Sequence, residues 1–104
     1  MNIRDWLRIT YESEKNGMLK TRPRLKCKDG FSISVQASKY MYCHPSTNLL
    51  GGEYESVELG FPSEEEPLIR KYAECDLDLT GTVYGYVPIS IVTQVIEKHG
   101  GIEY

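Results

Sequence analysis

No apolar run in this chain approaches the ~20 residues that cross a bilayer as a helix. The opening, Met1-Asn2-Ile3-Arg4-Asp5, carries charge where a secretory leader would be apolar. A cytoplasmic chain with no membrane partner is the expectation. Cysteine is scarce and odd in number, with three residues, which does not make a disulfide framework and points to reduced thiols. Glycine-rich phosphate loops are missing: neither Gly51-Gly52 nor Thr80-Gly81 fits a P-loop or a dinucleotide fingerprint. No Cys-x-x-Cys knuckle, internal repeat or low-complexity segment is present either.

What is present fits one domain spanning 1–104, long enough for one real core. Eight tyrosines are many for 104 residues, and their apolar bodies with polar tips suit surfaces and interfaces. The net charge of −3 is unevenly placed. Residues 1–30 hold eight Lys/Arg against four Asp/Glu, and residues 31–104 hold four against eleven. The two halves either neutralise each other within the fold or leave one basic and one acidic patch, each able to steer a partner.

The sharpest local pattern is five basic residues at every second position: Lys20, Arg22, Arg24, Lys26 and Lys28. A strand has a side-chain period of two, so all five are expected on one wet face. Thr21, Pro23, Leu25 and Cys27 then face a core, and Pro23 suits an edge strand. Ahead of this strand, Asn2 to Asn16 reads as a helix capped by Asn2, with Ile3, Trp6, Leu7 and Thr10 as its stripe and Gly17 as its stop. Lys28-Asp29-Gly30 reads as a hairpin turn into a strand over Phe31–Ala37, whose apolar residues alternate with Ser32, Ser34 and Gln36.

Lys39 to Tyr54 reads as a strand end and a long loop. A third strand follows over Tyr54–Phe61, with Val57, Leu59 and Phe61 on one side. Ser63-Glu64-Glu65-Glu66 reads as a capping box for a short helix to about Ala73, with three solvated acids at its positive end. After an Asp- and Leu-rich linker, Thr82–Val87 forms a fourth strand in which Tyr84 and Tyr86 share a face. Pro88 opens a last helix through Lys98, His99 caps its end, Gly100-Gly101 stops it, and Ile102 packs back. The fold class is α+β: about four antiparallel strands, with N-terminal, short middle and C-terminal helices packed on one face.

Candidate chemistry is sparse. Cys27, Cys43, His44, Cys75 and His99 are the soft ligands, and a zinc site of Cys27, Cys43 and Cys75 completed by a histidine is arithmetically allowed at poor spacing. The competing reading makes Cys27 a small core residue and the other thiols incidental. Cys43-His44 is the only close Cys/His pair, and neighbouring side chains rarely meet as nucleophile and base. Glu64, Glu65 and Glu66 lack the contrasting environments that paired-carboxylate catalysis needs. The basic stripe, with Tyr40, Tyr42 and Tyr54 as stacking candidates, is a footprint for nucleic acid, although the net charge has the wrong sign for a dedicated binder.

Several segments carry a resemblance. They are Arg22-Pro23-Arg24-Leu25, Asp29 to Ala37, Val57-Glu58-Leu59-Gly60-Phe61-Pro62-Ser63, Val83-Tyr84-Gly85-Tyr86-Val87-Pro88, and Glu97-Lys98-His99-Gly100-Gly101. Together they resemble a family of small accessory proteins encoded in phages and prophages of gut Firmicutes. The resemblance covers most of residues 22–101 and brings no catalytic residues. Small acidic phage proteins of this kind are often inhibitors of host defence, including anti-CRISPR proteins. It therefore implies a non-enzymatic protein acting in the host bacterial cytoplasm. Its partner would be a larger host protein of the CRISPR effector nuclease class, whose nucleic-acid loading it blocks. The partner-binding residues would be the basic stripe or the acidic cluster Glu64, Glu65, Glu66, Asp76 and Asp78. A nucleic-acid-binding accessory protein and a small structural-zinc protein are the alternatives. A tyrosine-rich strand edge would also permit a homodimer.

Overall fold

The computed structural model describes residues 1–10, 22–39, 41–47 and 53–103. Helix α1 spans Ile3–Ile9, and the Asn2 side chain accepts a hydrogen bond from the Asp5 amide at 2.8 Å, as the sequence predicts. Its buried residues are Ile3, Trp6 and Leu7. The expected continuation to Asn16 and the Gly17 stop lie outside the described residues, as do Lys20 and Tyr40.

Four strands follow: β1 Leu25–Lys26, β2 Ser32–Gln36, β3 Ser56–Gly60 and β4 Val83–Pro88. They pair antiparallel in the order β1-β2-β3-β4. The register sets Leu25 beside Ile33, Val35 beside Leu59, and Val57 beside Val87, so one face of the sheet is apolar and buried. Helix α2, Ile89–Lys98, turns Val92, Val95 and Ile96 into that core. The α+β architecture is therefore as the sequence predicts. No helix among the described residues is long and apolar enough to cross a membrane.

Turn chemistry explains the joints. Gly30 sits at φ 98° between β1 and β2, a conformation that costs glycine nothing. The Asp29 carboxylate accepts the Phe31 amide there at 2.9 Å. At the end of α2, the Gly101 amide donates to the Ile96 carbonyl (2.9 Å) and Gly100 to Glu97 (3.1 Å), the paired bonds of a Schellman ending. Ile102 then packs back, buried, as expected.

The outermost strands are not left bare. Beyond β1, Lys28 donates to the Gly101 carbonyl and Glu103 to that of Lys26, so the chain end lies along the strand. Beyond β4, Glu74 donates to the Val83 carbonyl and Ala73 bridges Tyr84. Capped edges of this kind resist strand-to-strand association.

Four expectations are corrected. Arg22 is not on a wet face: it is buried, and its guanidinium donates to the carbonyls of Ala37 (2.8 Å) and Leu7 (3.1 Å) and to Thr10 Oγ1 (3.1 Å). The ladder that enforces alternation begins only at Leu25. Before it, the Arg22 backbone is held by the Gln36 side chain, which bonds both its N–H and its C=O.

Second, Ser63 does not cap the middle helix. It bonds the Ser32 backbone instead, and Glu66 caps the 3₁₀ helix Pro67–Tyr72 by accepting from the Leu68 amide at 3.1 Å. Third, Phe61 leaves the apolar side of β3 and is exposed, its φ being 49°. Fourth, Tyr84 and Tyr86 part company. The β3–β4 register shifts between Val57 and Leu59, which buries Tyr84 and turns Tyr86 outward at φ 53°.

Candidate functional site

Folding redistributes both charged clusters. Of the basic stripe, Arg24, Lys26 and Lys28 are exposed, while Arg22 is inside. Arg24 is held in place: its guanidinium donates to Ser32 Oγ (3.1 Å) and to the Phe61 carbonyl (2.7 Å). Of the acidic cluster, Glu64, Glu65, Asp76 and Asp78 are exposed, and Glu66 is buried. Glu65 and Asp78 come close enough in space to act together on the Tyr84 hydroxyl. Burial chiefly, then these two charges, push its pKa up. Asp76 and Asp78 flank Leu77, which is 93% exposed. An open cleft beside the 3₁₀ helix, lined by Arg70, Lys71, Glu74 and Asp76 among others, adjoins this loop.

Glu66 belongs instead to an internal charge network. Its Oε1 lies 2.7 Å from His99 Nε2, and its Oε2 accepts from Lys98 Nζ at 2.9 Å. The other ring nitrogen, His99 Nδ1, lies 2.6 Å from Asp29 Oδ2. The ring stacks on Phe31, with centroids 4.0 Å apart and planes at 11°.

An ionised carboxylate can only accept, so two ionised partners favour the imidazolium form of His99, in which both ring nitrogens donate. Burial alone would lower its pKa, but the hydrogen bonds to Asp29 and Glu66 outweigh burial and raise it. Burial likewise opposes ionisation of Glu66, and the bonds from Lys98, the Leu68 amide and His99 hold its pKa below the ordinary value. Asp29 is lowered by the Phe31 amide and then by His99. With both nitrogens engaged, the ring has no lone pair to offer as a base. The expected helix-end position of His99 holds; its partners were not visible in the sequence.

The soft ligands are dispersed. Cys27 and Cys43 are buried and Cys75 is exposed. Burial, with some help from Asp29, pushes the Cys27 thiol to about 11. Burial also raises Cys43, whose Sγ lies 3.1 Å from the Ser38 carbonyl. His44 is exposed, with Nε2 3.6 Å from Glu55. Among the described residues, no group of three or more His, Cys, Asp or Glu side chains is placed to hold a metal ion.

The exposed aromatics include Tyr42, an expected stacking candidate, and two that the sequence did not single out, Phe61 and Tyr86. Tyr42 and Tyr86 lie with ring centroids 6.0 Å apart, and Phe61 stands at the end of β3 beside Arg24. Tyr54, named as a stacking candidate, is in the core. A left-handed backbone costs an L-residue roughly 1–2 kcal/mol, and both Phe61 and Tyr86 adopt it. The chain thus holds two large apolar side chains in solvent at a cost in stability.

No protein-family model, curated protein or solved structure matches this chain.

Proposed function

We propose that this is a non-enzymatic inhibitor that acts in the cytoplasm of a host bacterium. It docks by protein–protein contact on a larger protein and occupies a basic surface that would otherwise load nucleic acid. An RNA-guided nuclease is the target class that the sequence resemblance suggests. The observation that carries the reading is Leu77, 93% exposed between Asp76 and Asp78. A fully exposed leucine contributes nothing to its own core. Flanked by Asp76 and Asp78, it is suited to enter an apolar pocket rimmed by Lys and Arg. Of the two charged clusters, the acidic one therefore supports the docking reading better, with Glu66 withdrawn from it.

The test is co-elution of the purified chain with a guide-loaded type II CRISPR nuclease after nuclease treatment, and inhibition of DNA cleavage by the same mixture. Leu77→Ala should weaken the complex ~30-fold or more if Leu77 is a hot spot. An Asp76→Lys/Asp78→Lys variant should slow association most at low salt. A complex that forms and inhibits equally well with both variants would remove this surface from the reading.

A further inference from the structure

We propose that the outer face of the sheet binds single-stranded nucleic acid, with Phe61 and Tyr86 as base-stacking platforms and Arg24 and Lys26 as phosphate contacts. This site does not depend on the docking function proposed above. Backbone strain is the first support. Among the described residues, the two non-glycine residues with positive φ are both aromatic and both half exposed. Strain that leaves a large ring in solvent points to a contact made there.

The outer face carries small side chains beside these aromatics: Ser32 and Ser34 are half-buried, and Gly60 is buried against Val83 and Ser34. Tyr42 lies over Gly85, where an added Cβ would approach Tyr42 Cβ at 3.4 Å. Phe61 donates its amide to Thr82, and Tyr86 lies four residues further along β4. Charge complementarity selects the occupant. Leu25 faces the core beside Ile33, so its neighbours Arg24 and Lys26 project over the outer face. The Arg24 guanidinium is pre-positioned next to Phe61 by Ser32 and the Phe61 carbonyl. The acid on this face, Glu58, is half-buried and turned toward the Tyr42 amide at 3.4 Å. Aromatic rings interleaved with cations on an open sheet are the composition that single strands use.

The experiment is fluorescence anisotropy of labelled oligothymidylate and oligouridylate with the full chain over a salt series. Saturable binding is expected, with log affinity falling linearly with log salt. Phe61→Ala and Tyr86→Ala should each weaken it about 5- to 150-fold, and Lys26→Ala should reduce the salt slope by about 0.7. All three side chains are exposed, so circular dichroism should show unchanged folds. Asp76→Lys/Asp78→Lys, outside this face, should not weaken binding, which separates failure of this site from failure of the acidic loop. Absence of binding at low salt overturns the proposal. So does equal binding of duplex DNA, or wild-type affinity in Phe61→Ala and Tyr86→Ala. A protein captured on this face by a chain that binds neither oligonucleotide overturns it as well.

Discussion

Glu66→Gln tests whether the charge network holds the fold together. The substitution keeps the volume of a side chain that is only 1% exposed and removes the negative charge facing His99 and Lys98. Breaking a buried ion pair costs ~3–5 kcal/mol. Lys98 and Asp29 are each 47% exposed and can rehydrate, so the low end applies, about 3 kcal/mol. Against the ~5–15 kcal/mol that holds a domain folded, this is a large fraction. In urea melts followed by circular dichroism, it lowers the midpoint by about 1–3 M at ordinary m-values.

The pH profile adds a signature that packing alone would not give. His99 has its pKa raised from 6.5, so its contribution is complete below that value and lost as pH rises through the folded one. Glu66 and Asp29 are lowered from 4.5 and 3.8; their contributions are complete above those values and lost as pH falls through the folded ones. Wild-type stability from this network should peak between about pH 4.5 and 6.5 and decline on the alkaline side, and His99→Gln should flatten that decline. A Glu66→Gln midpoint shift worth less than about 0.5 kcal/mol, the range of ordinary surface substitutions, would refute the reasoning.

Arg22→Lys should cost about 2 kcal/mol or more, since an ammonium cannot reproduce a fork aimed at two carbonyls and a hydroxyl; a urea midpoint unchanged from wild type would return Arg22 to the surface. A thiol reagent should label one of the three cysteines in the native protein, Cys75, and all three in denaturant; fast native labelling of Cys27 or Cys43 would contradict their burial. Phe61→Gly and Tyr86→Gly should be neutral or stabilising by up to about 1 kcal/mol, because relief of the left-handed strain offsets the flexibility that glycine adds to the unfolded chain. A calorimetric Tm lowered by several degrees would mean that those rings pack.

The elements legible in the sequence are those whose signals are local. Ile33 and Val35 alternate with serines across β2, Asp29-Gly30 supplies a turn with a known backbone demand, and Pro88 and Gly100-Gly101 bracket α2. Asn2 capping α1 belongs with them. What was not legible depends on partners far along the chain. Glu66 and His99 are 33 residues apart and Asp29 and His99 are 70 apart, and no spacing rule joins three single residues in three turns. Tyr86 was misplaced because β4 takes three residue steps, Tyr84 to Val87, where β3 takes two, and this bulge decides its face. Phe61 was misplaced because alternation assumes extended dihedrals that it does not have. For the binding faces, charge counts located two clusters but could not say which members would be drawn inside.

The two residues drawn inside share a cause. The helices of this fold are short, with 7, 6 and 10 residues, too short to be stable by themselves. Their ends carry backbone groups with no partner within the helix. Arg22 takes up the Leu7 carbonyl in the last turn of α1 and ties it to Ala37 on the sheet. Glu66 takes up the Leu68 amide at the start of the 3₁₀ helix. Through Lys98 and His99 it also fastens the end of α2, and His99 reaches Asp29 in the β1–β2 turn. Each charge has the sign that the helix dipole favours: cations at the two C-termini, an anion at the N-terminus. The fold thus uses one member of each charged cluster as an internal fastener for a helix end. The members left outside, Arg24, Lys26 and Lys28 on one side and Glu64, Glu65, Asp76 and Asp78 on the other, are those that contact with a partner can use.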